Sequence, residues 1–168
     1  RIGTRDICLW APIEEVVIDL SNLADAILNI CLIRLKSEGF NPSGICILAF
    51  GKLGGRELNY SSDIDLMAIY DPLKADENSC KKLMERLKDD LSRHTKWGYG
   101  YRIDLRLRPY GRSGNLVVPI DAAVGYYEKN ASPWELQALI KTRPVAGDAD
   151  LGNYFLESIY MKIQSKID

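Results

Sequence analysis

The sequence predicts a small mixed β-sheet flanked by helices, of α/β or α+β class, with a helical C-terminal segment. Three observations carry that expectation. A long apolar stripe at helical spacing comes first, at Ile13, Val16, Val17, Leu20, Leu23, Ala24, Ile27, Leu28, Cys31 and Leu35. A short continuous apolar run, Ile45 to Phe50, then ends in glycines, as a strand covered on both faces does. Residues 99–108 alternate strictly, with Ile103, Leu105 and Leu107 on one side and Arg102, Asp104, Arg106 and Arg108 on the other, which predicts a strand with one charged face.

The elements follow in order. Pro12 suits a first helical turn and Gly39 a stop, so residues 13–35 form one long helix, or two if Ser21 caps a second segment. The strand over 45–50 leads into a glycine-rich turn at 51–55, and Asp63 to Tyr70 reads as a second strand with its polar residues only at the start. Residues 76–96 are helical, with Cys80, Leu83, Met84, Leu87 and Leu91 as the stripe and His94 in a helix-end role. The strand over 99–108 stops at Pro109 and Gly111, and a short run follows at 116–118. Helices are expected over 121–130, 133–142 and 149–166. The whole reads as one catalytic domain over 1–168, with packing helices in 1–40, the sheet core in 45–118 and a helical tail in 121–168. Since the chain opens on Arg1 rather than Met, a piece of a longer protein is expected.

With 168 residues the chain is long enough to bury a sizeable core, and its 46% hydrophobic content argues against disorder. Its 22 basic and 23 acidic residues leave a net charge of −1, which gives no general basis for binding nucleic acid or anionic membranes. No uninterrupted apolar run reaches the length of a membrane span, and no signal peptide opens the chain. Cysteines at 8, 31, 46 and 80 have no metal-binding spacing, so neither a disulfide framework nor a zinc site is expected and a reducing, cytoplasmic setting is the default.

Chemistry concentrates between Phe50 and Leu66. Glycines after a buried strand let a backbone approach phosphate oxygens, which nominates Gly54 and Gly55 as phosphate contacts. Asp63 and Asp65 lie two apart at a strand start, so both carboxylates leave one face while Ile64 and Leu66 anchor the other. Two such acids repel unless a cation neutralises them, and their hard oxygens suit Mg²⁺. A Walker A loop is excluded because Lys52 precedes the glycine pair, and neither Gly-x-Gly-x-x-Gly nor Gly-x-Ser-x-Gly occurs.

Leu53-Gly54-Gly55 followed by Asp63-Ile64-Asp65-Leu66 resembles the signature of the nucleotidyltransferase superfamily that includes DNA polymerase β. That resemblance implies a third carboxylate on a neighbouring strand, for which Asp104 is the match; the competing role for Asp104 is an ion pair with Arg102 or Arg106. Gly51 to Leu58, Ser61 to Leu66, Asp104 to Pro109, Trp134-Glu135 and Lys141-Thr142-Arg143 together are similar to the glutamine synthetase adenylyltransferase family. The likeness runs from Arg5-Asp6 to Gly147-Asp148. Members of that family carry two such catalytic domains, one removing AMP from a tyrosine of glutamine synthetase and one attaching it. Asn59-Tyr60-Ser61-Ser62, Arg5-Asp6-Ile7-Cys8 and Arg108-Pro109-Tyr110-Gly111 resemble the N-terminal, adenylyl-removing copy, whereas Trp134 to Leu139 is seen in both.

The resemblance implies two Mg²⁺ ions, with Mn²⁺ as a substitute, held by Asp63, Asp65 and Asp104 as metal ligands and catalytic residues. It implies phosphorolysis of adenylyl-tyrosine to ADP, within the control of nitrogen assimilation by the PII signalling protein. Beside the glycines, Ser61, Ser62, Arg106, Arg108, Lys52, Lys141 and Arg143 are candidate phosphate or nucleotide contacts, and Trp134 is expected in the core. The alternatives are the AMP-attaching copy, which takes ATP, and a noncatalytic nucleotide-binding module.

Overall fold

A computed structural model describes residues 1–164. Its elements are α1 (Ile2–Leu9), α2 (Ile13–Ser37), β1 (Ile45–Ala49), α3 (Gly51–Gly54), β2 (Ile64–Tyr70), α4 (Glu77–Ser92), β3 (Ile103–Asp104), a 3₁₀ turn (Gly111–Ser113), β4 (Val117–Pro119), α5 (Ile120–Lys129), α6 (Pro133–Leu139), β5 (Arg143–Gly147) and α7 (Ala149–Gln164).

The sheet is mixed and small. β1 runs antiparallel to both β2 and β5, giving the order β5-β1-β2. The far edge of β2 is shared end to end by two parallel strands: β3 pairs with Ile64 and Asp65, and β4 with Ala68 to Tyr70. Helices cover both faces, which is why β1 is apolar throughout. Ile45, Ile47 and Ala49 face a core built with Leu20, Ala24 and Leu28 of α2 and Leu83 and Leu87 of α4. Cys46 and Leu48 face a second core with Tyr127 of α5 and Phe155 and Ile159 of α7.

Helix α2 is one helix of 25 residues, not two. Ser21 is fully buried inside it, and its hydroxyl donates to the Val17 carbonyl at 2.7 Å instead of capping a new segment. The helix is long and apolar enough to cross a membrane by length and composition, although no uninterrupted apolar run of that length exists. Its buried face, from Val16 to Leu35, packs onto the first core.

Three expectations need correction. The strand over 99–108 shrinks to Ile103 and Asp104, because the Asp104 carboxylate accepts the Arg106 amide at 2.8 Å and turns the chain. Leu105 therefore stays with the first core while Leu107 packs against the second. The helix over 76–96 ends at Ser92, where the amides of Gly100 and Tyr101 fold back onto the Leu91 carbonyl. His94 lies beyond that end, its ring 4.7 Å from that of Tyr99. The segment 121–168 is not wholly helical, since Arg143–Gly147 forms β5 along the edge of the sheet. Pro144 is tolerated there because an edge strand can omit a ladder donor, and the register shifts opposite it between Ile47 and Leu48. Helix α7 is described to Gln164, so the last two residues of the helix expected over 149–166 lie outside the described residues.

Candidate active site

The site forms where β2 and β3 begin to pair. Parallel register sets Asp65 opposite Asp104 and Ile64 opposite Ile103. Ile64 and Leu66 are fully buried on one side of β2, so Asp65 leaves from the other, and Asp63 precedes it on the same side. Immediately before α3, the Phe50 amide donates to the Asp65 carbonyl at 2.9 Å. Gly51 adopts a positive φ of 55°, and a Cβ there would lie 2.6 Å from Asp65 Oδ2. The glycine that makes room for the acid is thus Gly51, ahead of the expected pair.

The three carboxylates are unequally compensated. Asp63 is exposed and paired with Arg102 through Nε, and the same guanidinium donates to the Ser61 carbonyl at 2.7 Å and the Tyr99 hydroxyl at 3.1 Å. Asp104 is largely covered and receives Arg106 Nε at 2.7 Å, with a further contact from Arg106 Nη2. Those hydrogen bonds hold the Asp104 carboxyl below the usual aspartate range. Asp65 has no such partner among the described residues. Burial, then the charges of Asp104 and Asp63, push its carboxyl above the usual range, partly offset by Arg106 and Lys52. Of the two ion pairs weighed for Asp104, the one with Arg106 forms, while Arg102 goes to Asp63.

With the arginines in place, no group of three His, Cys, Asp or Glu side chains among the described residues is gathered closely enough to hold a metal ion. The donor set still suits a hard divalent cation. It offers carboxylate oxygens alone, and Asp65 carries repulsion from two neighbouring acids that such a cation would relieve. The site is an open rim, with the side chains of Asp63, Arg102 and Arg106 47%, 55% and 62% exposed. A concavity of about 360 Å³ lined by Asn29, Lys36, Gly44 and Asp148 lies instead at the opposite end of β1.

Residues 1–158 match the family model described as glutamate-ammonia ligase adenylyltransferase. The chain belongs to that family. A relative from Mesorhizobium japonicum is 44% identical over 186 positions covering 98% of this chain, and one from Rhizobium meliloti is 45% identical over 135 positions covering 76%. One from Cutibacterium acnes is 38% identical over 170 positions covering 95%. All three are named bifunctional glutamine synthetase adenylyltransferase/adenylyl-removing enzyme. The chain spans 19%, 14% and 17% of their respective lengths.

Within this adenylyltransferase-family domain, the expected basic contacts separate into two groups. Lys52 is exposed on α3 and its charge reaches Asp65, and Arg106 lies on Asp104; both belong to the site. The other three are engaged elsewhere. Arg143 forms a two-pronged pair with Asp25 of α2 at 2.8 and 3.0 Å and donates to the carbonyls of Leu53 and Gly54 at 3.0 and 3.2 Å, so it ties α2 to the end of α3. Lys141 pairs with Glu57 at 2.7 Å. Arg108 donates to the carbonyls of Leu105, Arg112 and Gly114 and clamps the loop after β3, where burial pushes its guanidinium down.

The glycine pair is likewise structural in this conformation. The amides of Gly54 and Gly55 donate to the carbonyls of Phe50 and Gly51 at 2.9 and 3.0 Å and close the turn rather than facing a ligand. A Cβ on Gly54 would lie 2.3 Å from the Lys141 carbonyl oxygen and 2.8 Å from that of Ala49. The loop that follows is built to deliver Asp63. Its Leu58 amide donates to the buried Ser21 hydroxyl at 3.2 Å, and Asn59 Oδ1 accepts the Ser61 amide at 3.2 Å and the Ser62 hydroxyl at 2.7 Å. Tyr60 reaches Asp6 of α1 at 3.0 Å. Trp134, expected in the core, is exposed, and its neighbour Glu135 closes a capping box with Ser132 and accepts the Tyr126 hydroxyl at 2.6 Å.

Besides Gly51, Arg102 is a site residue that sequence reasoning missed. Its strict alternation with Asp104 and Arg106 was visible, but the loop carrying Asp63 lies 39 positions upstream of it and only the fold brings the two together.

Proposed function

We propose that this domain removes AMP from adenylylated glutamine synthetase by Mg²⁺-dependent phosphorolysis, as the adenylyl-removing half of a longer cytoplasmic enzyme that controls nitrogen assimilation. The observation that carries the reading is the parallel register of Asp65 with Asp104 beside Asp63, the three-acid arrangement of nucleotidyl transfer. Two Mg²⁺ ions, for which Mn²⁺ can substitute, would be held by Asp63, Asp65 and Asp104 and would neutralise charge at the phosphorus and on the attacking and leaving oxygens.

The chain's own residues then bind and orient. Arg106 and Lys52 lie beside the acids, where their charges favour inorganic phosphate over a neutral nucleophile. Phosphate oxygen forms a bond to the adenylyl phosphorus, the bond from phosphorus to the tyrosine oxygen breaks, and ADP leaves while the tyrosine oxygen takes up a proton. The open rim admits a side chain presented by a folded protein. Ser61 and Ser62 border the rim, and Ser62 is oriented by Asn59.

The removing direction is supported by the resemblance of Asn59-Tyr60-Ser61-Ser62 to the adenylyl-removing copy, since the attaching copy of the family it resembles tends to have glycine in place of Asn59 or Ser61; here Asn59 holds the loop through two hydrogen bonds. Incubating the chain with adenylylated glutamine synthetase, phosphate and Mg²⁺ tests the direction. ADP is the expected product. Transfer of AMP from ATP to the unmodified tyrosine, with no ADP from the first mixture, would assign the attaching activity instead. Control by PII is expected of the longer enzyme and is tested there.

A further inference from the structure

Each outer carboxylate of the site has its own arginine, and the middle one has none. Arg102 and Arg106 lie two residues before and two residues after Asp104, and they reach opposite members of the acid set. Arg102 and Arg106 contact Asp63 and Asp104 directly, whereas Asp65 is met only through the nearby charges of Arg106 and Lys52. The two arginines also differ from the other arginines near the site. Arg108 is bound to three carbonyls and Arg143 to a carboxylate and two carbonyls, both partly covered, whereas Arg102 and Arg106 project their side chains from the rim largely exposed.

We propose that Arg102 and Arg106 are resident counter-cations: they occupy Asp63 and Asp104 in competition with divalent ions and pass to the anionic substrate when those ions bind. This rests on the reading of the three acids as cation ligands. A divalent ion on a carboxylate repels the guanidinium already there, and a long exposed side chain can turn away at little cost. Once two such ions are bound, the cluster carries a net positive charge, which an incoming phosphate offsets and to which a two-pronged guanidinium is well matched. Cation and anion binding are thereby coupled, each favouring the other. Arg102 also holds the Ser61 carbonyl, so its release loosens the loop beside the substrate as the ions enter.

The test is Mn²⁺ binding to the 168-residue chain, read from the electron paramagnetic resonance of unbound Mn²⁺, with and without inorganic phosphate. Arg102→Gln and Arg106→Gln are compared with wild type and with Arg86→Gln, whose arginine pairs with Glu38 and Asp90 away from the site. Without phosphate, the two site variants bind Mn²⁺ about two- to fivefold more tightly, while Arg86→Gln matches wild type. Phosphate tightens Mn²⁺ binding in wild type and does so less in either site variant. If both site variants bind Mn²⁺ no more tightly than wild type, while Asp65→Asn abolishes binding, the counter-cation role is wrong and the metal site stands. Wild-type binding that is absent, or unaltered by Asp65→Asn, overturns both.

Discussion

Asp65 on β2 faces Asp104 on β3 across a parallel pair only two residues long. The repulsion built into that pairing is carried by Asp65, since Arg106 compensates Asp104. A raised carboxyl pKa means the fold favours the protonated form. Its contribution to stability is therefore fully present at low pH and is lost as pH rises through the raised value. Asp65→Asn removes that penalty. Thermal unfolding of the variant should match wild type near about pH 3, below the ordinary aspartate value, and equal or exceed it at pH 7, and a variant less stable at pH 7 than at pH 3 relative to wild type would contradict this electrostatic picture.

Arg143 is a strut between α2 and α3. Replacing it by alanine leaves Asp25 and the Gly54 carbonyl without this donor, while the Leu53 carbonyl keeps the Arg56 amide. Arg143→Ala should cost about 2–4 kcal/mol in urea unfolding, the range for stripping one partner from a partly covered charged network. Below denaturing conditions its KM for phosphate should stay close to wild type, since the side chain points into the scaffold.

Gly51 and Gly54 are needed for different reasons. Gly51→Ala combines a left-handed backbone with a methyl pressed onto the Asp65 carboxylate, so turnover should fall by about tenfold or more while unfolding shifts by about 1–2 kcal/mol. Gly54→Ala pushes a methyl into two carbonyl oxygens and should lower stability by more than Gly51→Ala does. Paired urea and kinetic measurements separate the two.

Thiol chemistry reports on the core. Burial pushes the Cys46 thiol up to about 12 and the Cys80 thiol to about 11, whereas Cys8 is exposed on α1. Iodoacetamide at pH 8.5 should modify Cys8 rapidly in the native chain and leave Cys46 and Cys80 unmodified until denaturant is added. Mass spectrometry of the labelled peptides gives the order directly.

The sequence pattern carried β1 and β2 through continuous apolar runs of five residues, and α2 and α4 through apolar stripes at helical spacing, as a covered sheet or helix face demands. The period of a strand puts Asp63 and Asp65 on one side, and the resemblance nominates Asp104, which the parallel register sets opposite Asp65. β5 escaped because Arg143-Pro144-Val145-Ala146-Gly147 has no alternation and includes a proline, and only pairing with β1 makes it a strand. The strand over 99–108 was overextended because alternation says nothing of the Asp104 carboxylate accepting the Arg106 amide. Charge type alone likewise cannot separate Arg106, on an acid of the site, from Arg143 and Arg108, which hold backbone carbonyls of the scaffold; that division comes from which loops close over them.

ADP formation from adenylylated glutamine synthetase and phosphate, measured for wild type and Asp65→Asn at equal concentration and saturating Mg²⁺, is the most direct test of the three-acid site. Wild type should release ADP and Asp65→Asn should be slower by at least about a thousandfold, with unchanged circular dichroism. An Asp65→Asn protein that releases ADP at close to the wild-type rate would contradict the account.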